Sequence, residues 1–374
     1  MLLLLFAQAL LVPGSPGTVG MSPPGLESAA ALLEAEVQRG NLGAAAILVA
    51  RRGTIVLHRG FGRLSRKADA APVTPDSVFL LASITKPVTA CALMLLVERG
   101  KVSLNDPVSR YLPEFTGGGR EKVLVRDLLA HTSGLPDMLP ENIDLRRAHA
   151  PLSEFVRRTY KTPLLYAPGT SFRYQSMGIL LAGEIVERSS GMRLREFEQK
   201  EIFQPLGMHH SALGLGSMRI ADTVEAWNSP ADDADDTQRF GANSAYWRDM
   251  GHPWGGMHST TRDIAVLLET FLNGGVYGGK RVFSRSTVKA MTADQNLRVH
   301  APWGLGWALG RSTAWNFFGD RVSADTFGHA GATGTVAWAD PDTQMICVIL
   351  TDRLFEEGKL LRLVSNAVAG SLAE

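Results

Sequence analysis

Apolar residues recur along this chain in two rhythms. Leu26, Ala29, Leu33 and Val37 fall at helical spacing and stop at Gly40, which predicts a helix over Leu26–Arg39. Ala44–Ala50 and Thr54–His58 are rich in strand formers and flank Arg51–Arg52–Gly53, which predicts a hairpin. Helical patterns then dominate, over Ser83–Arg99, Val125–His131, Leu152–Thr159, Met177–Ser189, Leu194–Ile202 and Thr261–Asn273. Strand signals return at Trp307–Leu309, Thr333–Ala339 and Met345–Thr351, and a last helix, Glu356–Leu372, closes the chain. That order predicts an α+β fold. One antiparallel sheet is assembled from both chain ends, helices from the termini cover a face, and a large helical region stands beside it.

Composition narrows the function classes. The 374 residues are 45% hydrophobic and 20% charged, enough for a sizeable core and unlike a disordered or coiled-coil chain. With 38 Lys+Arg against 37 Asp+Glu, no global field draws nucleic acid or an acidic membrane. Cys91 and Cys347 sit in apolar runs and read as core residues, not as a disulfide or metal pair. Leu2–Val12 is apolar but too short to span a bilayer, and no basic residue precedes it. It leaves cytoplasmic and exported locations equally open. We therefore expect a leader or disordered segment at 1–22 and a domain over 23–374, with a sheet lobe near 23–82 and 300–374 and a helical lobe near 83–299. The acidic stretch Pro230–Arg239 reads as an exposed loop.

One short pattern carries chemistry. Ser83-Ile84-Thr85-Lys86 precedes the apolar run Ala90–Val97. Three-residue spacing on a helix puts serine and lysine on one face. A helix start favours a developing alkoxide, and a desolvated lysine loses pKa and can take the serine proton. A second copy, Ser286-Thr287-Val288-Lys289, starts a helix with a polar face, and Ser286 reads as its N-cap. Gly274–Lys280 lacks the Ser/Thr of a phosphate loop and reads as a glycine-rich turn, and His209–His210 reads as a surface pair.

Several further segments, in order, resemble one family. Leu128-Leu129-Ala130-His131-Thr132-Ser133-Gly134-Leu135-Pro136, Pro168-Gly169-Thr170-Ser171-Phe172-Arg173-Tyr174-Gln175-Ser176, Pro205-Leu206-Gly207-Met208, Trp303-Gly304-Leu305-Gly306-Trp307 and Gly328-His329-Ala330-Gly331 stand with the Ser83/Lys86 motif. Together they are similar to the serine β-lactamase and penicillin-binding-protein superfamily, in its branch of class C β-lactamases, D-Ala-D-Ala carboxypeptidases and esterases. The resemblance implies Ser83 as an acylated nucleophile, with Lys86 and Tyr174 sharing acid–base work and Lys86 lowering the phenol's pKa. It implies substrate contacts from Ser176, His329 and Gly331, an oxyanion hole from the N–H groups of Ser83 and Ala332, and neither metal nor cofactor.

Two departures bear on substrate. Ser176 stands where the family carries Asn, and His329 where efficient β-lactamases carry Lys. Both suit a hydrolase of short-chain carboxylic esters better than one reading an anionic peptide end, since an ester needs less leaving-group protonation. The alternatives are a D-Ala carboxypeptidase, a D-aminopeptidase or a weak β-lactamase, then an acyltransferase or a non-catalytic penicillin-binding sensor. The partner in each is a small ester, lactam or peptide.

Overall fold

The computed structural model describes residues 10–227, 234–312 and 315–373. Its centre is a seven-stranded sheet made of β1 (Val12–Pro13), β2 (Ala44–Arg51), β3 (Thr54–Gly62), β4 (Ala308–Leu309), β5 (Phe327–Gly331), β6 (Thr335–Asp340) and β7 (Met345–Thr351). They lie in the order β1-β3-β2-β7-β6-β5-β4. β2 pairs directly with β7, so the two ends of the chain close one sheet. The β2–β3 hairpin turns at Arg52 and Gly53, both at positive φ, a backbone twist that matches the flanking strands.

Two cores lie on opposite faces of this sheet. Along β7, Met345, Cys347 and Ile349 face one core, which also holds Leu26 and Leu33 of α1 (Pro23–Gln38) and Leu361 and Val364 of the C-terminal helix Lys359–Ala369. Ile346, Val348 and Leu350 face the other, shared with the helical region. Burial on both faces explains why the central strands read as continuous apolar runs. Cys91 and Cys347 are free and fully buried, one in each core, so the sheet separates them.

In the helical region α2 (Thr85–Glu98) is buried along nearly its whole length and packs against α3 (Met177–Ser190). The helix Thr261–Leu272 lies on the sheet against β2, β6 and β7. No helix among the described residues is long and apolar enough to cross a membrane.

Five local expectations are corrected. Packed chain begins ahead of Pro23: Leu11 and Val19 are buried and β1 pairs in parallel with β3, so the sheet is mixed rather than wholly antiparallel. Most of Leu2–Val12 lies outside the described residues. Pro230–Arg239 ends in a short helix, Ala234–Arg239, and 230–233 lie outside the described residues. The helix after Phe283 is capped by Ser284, whose hydroxyl accepts from Thr287 N, and not by Ser286. Strand β5 escaped the periodicity because two glycines and a histidine fill its five positions. Gly274–Lys280 does hold a glycine turn, at Gly278 and Gly279, between the short paired strands Val276–Tyr277 and Lys280–Arg281.

Candidate active site

Ser83 lies in a single 3-10 turn, Ala82–Ile84, immediately ahead of α2. Ala82 is held at φ +48, a left-handed conformation that costs a non-glycine residue about 1–2 kcal/mol. Surrounding structure enforces it. Thr85 Oγ1 donates to Ala82 O at 2.7 Å and accepts from Met257 N at 3.0 Å. On the other side Thr333 Oγ1 donates to Leu80 O and Thr335 Oγ1 to Leu81 O. The peptide before the serine is therefore clamped from two directions.

Lys86 follows one turn later and is 1% exposed, whereas Ser83 is half-buried. Its Nζ stands 2.9 Å from Ser83 Oγ and donates to Trp254 O at 3.0 Å. Burial pushes the ammonium down to about 7, with the Asp137 carboxylate opposing. The Lys86 Nζ also lies 4.7 Å above the Tyr174 ring. So the structure brings together all three residues expected to do the chemistry.

The Tyr174 phenol is not lowered, which corrects the expectation drawn from Lys86. Burial pushes it up and Asp137 adds to the rise, while the neighbouring Ser83 hydroxyl works the other way. A lysine poised near neutrality carries too little charge to offset that desolvation. The tyrosine oxygen has no regular hydrogen-bond partner. Its ring is fixed by aromatic neighbours, stacked on Trp315 at 4.7 Å between centroids and tilted against His131 at 4.7 Å.

His329 is fully buried on β5, its ring centroid 5.9 Å from that of Tyr174. Its Nδ1 lies 2.7 Å from Ala330 O. A carbonyl only accepts, so Nδ1 carries the proton and Nε2, which has no partner, presents a lone pair. Burial, then Lys86, pushes this imidazole down to about 3. Near neutral pH the third motif thus offers an acceptor and no positive charge.

Gly331 has a role nearer home than substrate approach. A Cβ there would meet Leu81 O at 2.2 Å and Thr335 Oγ1 at 2.3 Å, and would stand 3.1 Å from Ser83 N. Only glycine lets β5 close on the nucleophile's own backbone. Ala332, the next residue, is exposed in the turn that follows. Ser176 is 1% exposed and its hydroxyl donates to Asp137 Oδ1 at 2.6 Å, so it is already engaged.

The pattern of residues missed Asp137, Thr85, Trp315 and the main-chain carbonyl of Trp254. Asp137 directly follows the Leu135-Pro136 end of a motif already singled out, which was the available signal. The others act through a hydroxyl brace, a main-chain carbonyl and a stacked ring, none of which sequence spacing marks.

A serine paired with a desolvated lysine, a half-buried tyrosine beside them and a strand closing on the serine's own backbone define a hydrolase of serine β-lactamase fold. The comparisons agree. The family model described as Beta-lactamase matches residues 29–368, and the chain belongs to that family. A protein of Salmonella agona (strain SL483), named provisionally as a D-alanyl-D-alanine carboxypeptidase, is 31% identical over 92% of this chain and 86% of its own length. Among solved structures, a penicillin-binding protein homologue from Caulobacter crescentus superposes with TM-score 0.78 at 23% identity, covering 94% of this chain and 99% of that one. A family VIII carboxylesterase does so with TM-score 0.73 at 22% identity, covering 92% and 98%.

Proposed function

We propose that this protein is a carboxylesterase that hydrolyses short-chain esters through a Ser83 acyl-enzyme. Lys86, held near neutrality, is the resting base: it takes the Ser83 Oγ proton across the 2.9 Å contact as Oγ attacks the ester carbonyl. The N–H groups of Ser83 and Ala332 receive the oxyanion. The Tyr174 phenol keeps its proton because its pKa is raised, and gives it to the departing alkoxide. Water then attacks the acyl-enzyme and the proton transfers run in reverse. Gly331, Thr333 and Thr335 keep the nucleophile's backbone in place throughout.

The observation that carries the ester reading is His329, an uncharged acceptor where recognition of a peptide carboxylate needs a cation or a donor. The name of the Salmonella relative favours a second reading, a D-Ala carboxypeptidase, which requires that carboxylate to be held by some other group. Parallel turnover of p-nitrophenyl butyrate, nitrocefin and a D-Ala-D-Ala-terminated peptide by wild type and Ser83→Ala separates them. Fast ester hydrolysis, slow lactam and peptide hydrolysis, and loss of all in the variant are expected. Peptide turnover exceeding ester turnover would overturn the ester reading.

A further inference from the structure

We infer that Asp137 makes this site selective for acyl groups carrying a positive charge and excludes those carrying a carboxylate. The inference rests on the proposed Ser83 acyl-enzyme and names its substrate class.

Asp137 follows the buried segment His131–Leu135 and is itself exposed. Two contacts fix it against the start of α3: Ser176 Oγ donates to Oδ1 at 2.6 Å, and Ser176 N donates to Asp137 O at 3.2 Å. Ser176 stands two residues after Tyr174, so these contacts tie Asp137 to the segment that carries the phenol, and its charge raises the pKa of both Lys86 and Tyr174. No Lys, Arg or His forms an ion pair with it among the described residues. Oδ2 is left for solvent or ligand. A serine hydroxyl is too short to replace it as the group facing a substrate, and that hydroxyl is spent on Oδ1.

The remaining polar groups reinforce this one. His329 Nε2 is a lone-pair acceptor with no charge. Lys86 is the cation of the site, is buried, and must be neutral to act as base. An anionic acyl group therefore meets the Asp137 carboxylate with no charged histidine to offset it, while an ammonium meets a charged acceptor. For an exposed pair at contact distance the attraction is worth roughly tenfold in kcat/KM, falling as salt screens it.

The test uses three methyl esters of nearly equal shape. Alanine methyl ester (each enantiomer), methyl isobutyrate and monomethyl methylmalonate carry ammonium, methyl and carboxylate on the same carbon. Their kcat/KM values are followed by proton release at low salt and in 0.5 M NaCl. For the wild type the order ammonium, methyl, carboxylate is expected in one enantiomeric series, with roughly tenfold per step that shrinks in salt. Asp137→Asn keeps an oxygen for Ser176 and should bring the ammonium-to-methyl ratio near one, and Asp137→Glu should restore it. Turnover of all three without regard to charge, or an unchanged ratio in Asp137→Asn, overturns the inference and leaves the esterase reading standing. Turnover of none by the wild type fells both.

Discussion

The chain contains the same four-residue spacing twice, and only one copy makes a catalytic pair. Ser83 and Lys86 meet at 2.9 Å with the lysine sealed between α2 and the Trp254 carbonyl. Ser286 and Lys289 both lie exposed on a surface helix, and the Ser286 hydroxyl meets that of Ser284 instead. Spacing brings a serine and a lysine to one helix face in each case. Desolvation separates them, because it moves the buried lysine towards neutral pH, whereas Lys289 lies in water. A motif of this kind is a geometric permission, and burial converts it into chemistry.

Substitutions can break that contrast from its strongest end. Ser83→Ala should lower ester turnover by at least about 1000-fold, whereas Ser286→Ala should change it less than about twofold, both read by initial rates. Lys86→Met fills the same volume without a base and should cost about 100- to 10,000-fold in kcat/KM, with Lys289→Met near wild type. Retained activity in Lys86→Met would move the base to another group.

Stability should separate the two lysines as well. Lys86 falls from 10.5 to about 7 on folding, so the unfolded chain binds the extra proton between those values. Stability therefore rises with pH from about 7 to about 10.5, and the penalty is fully present below 7. Over the whole window the change is on the order of 4–5 kcal/mol, at about 1.4 kcal/mol per unit. Urea midpoints at pH 7 and 9.5 should converge in Lys86→Met and keep their separation in Lys289→Met.

The catalytic pH profile gives a finer test. With neutral Lys86 as base, kcat/KM for a neutral ester should rise through a limb near pH 7. Asp137→Asn removes the anion that favours protonated Lys86, and should move that limb to lower pH. A limb that stays in place would show that Asp137 acts too far from the lysine to matter. The smallest effect falls on the idle copy: Ser284→Ala should lose about 1 kcal/mol of helix capping in a denaturation curve and leave turnover unchanged.

Much of the architecture was legible because it is local. The Val125, Leu152, Met177 and Thr261 helices begin where periodicity puts them, and β7 spans its apolar run end to end. The failures have physical causes. β5 reads as no strand because Gly328 and Gly331 are there for backbone contact, with Trp338 and with Leu81, and glycine carries no strand signal. β1 falls inside the expected leader because a two-residue edge strand is defined by its partner, not by its own sequence. Ser83, Lys86 and Tyr174 were legible through resemblance, yet their protonation states were not.

The sequence by itself determined which residues could react, the order of helices and strands, and the closing of both chain ends into one sheet. Tertiary structure alone decided that Lys86 is desolvated and Lys289 is not, that His329 presents a lone pair because its Nδ1–H donates to the Ala330 carbonyl, and that Asp137 rather than Ser176 carries the free polar group. Reactivity at this site depends on distance and on exclusion of water, and neither is a function of separation along the chain.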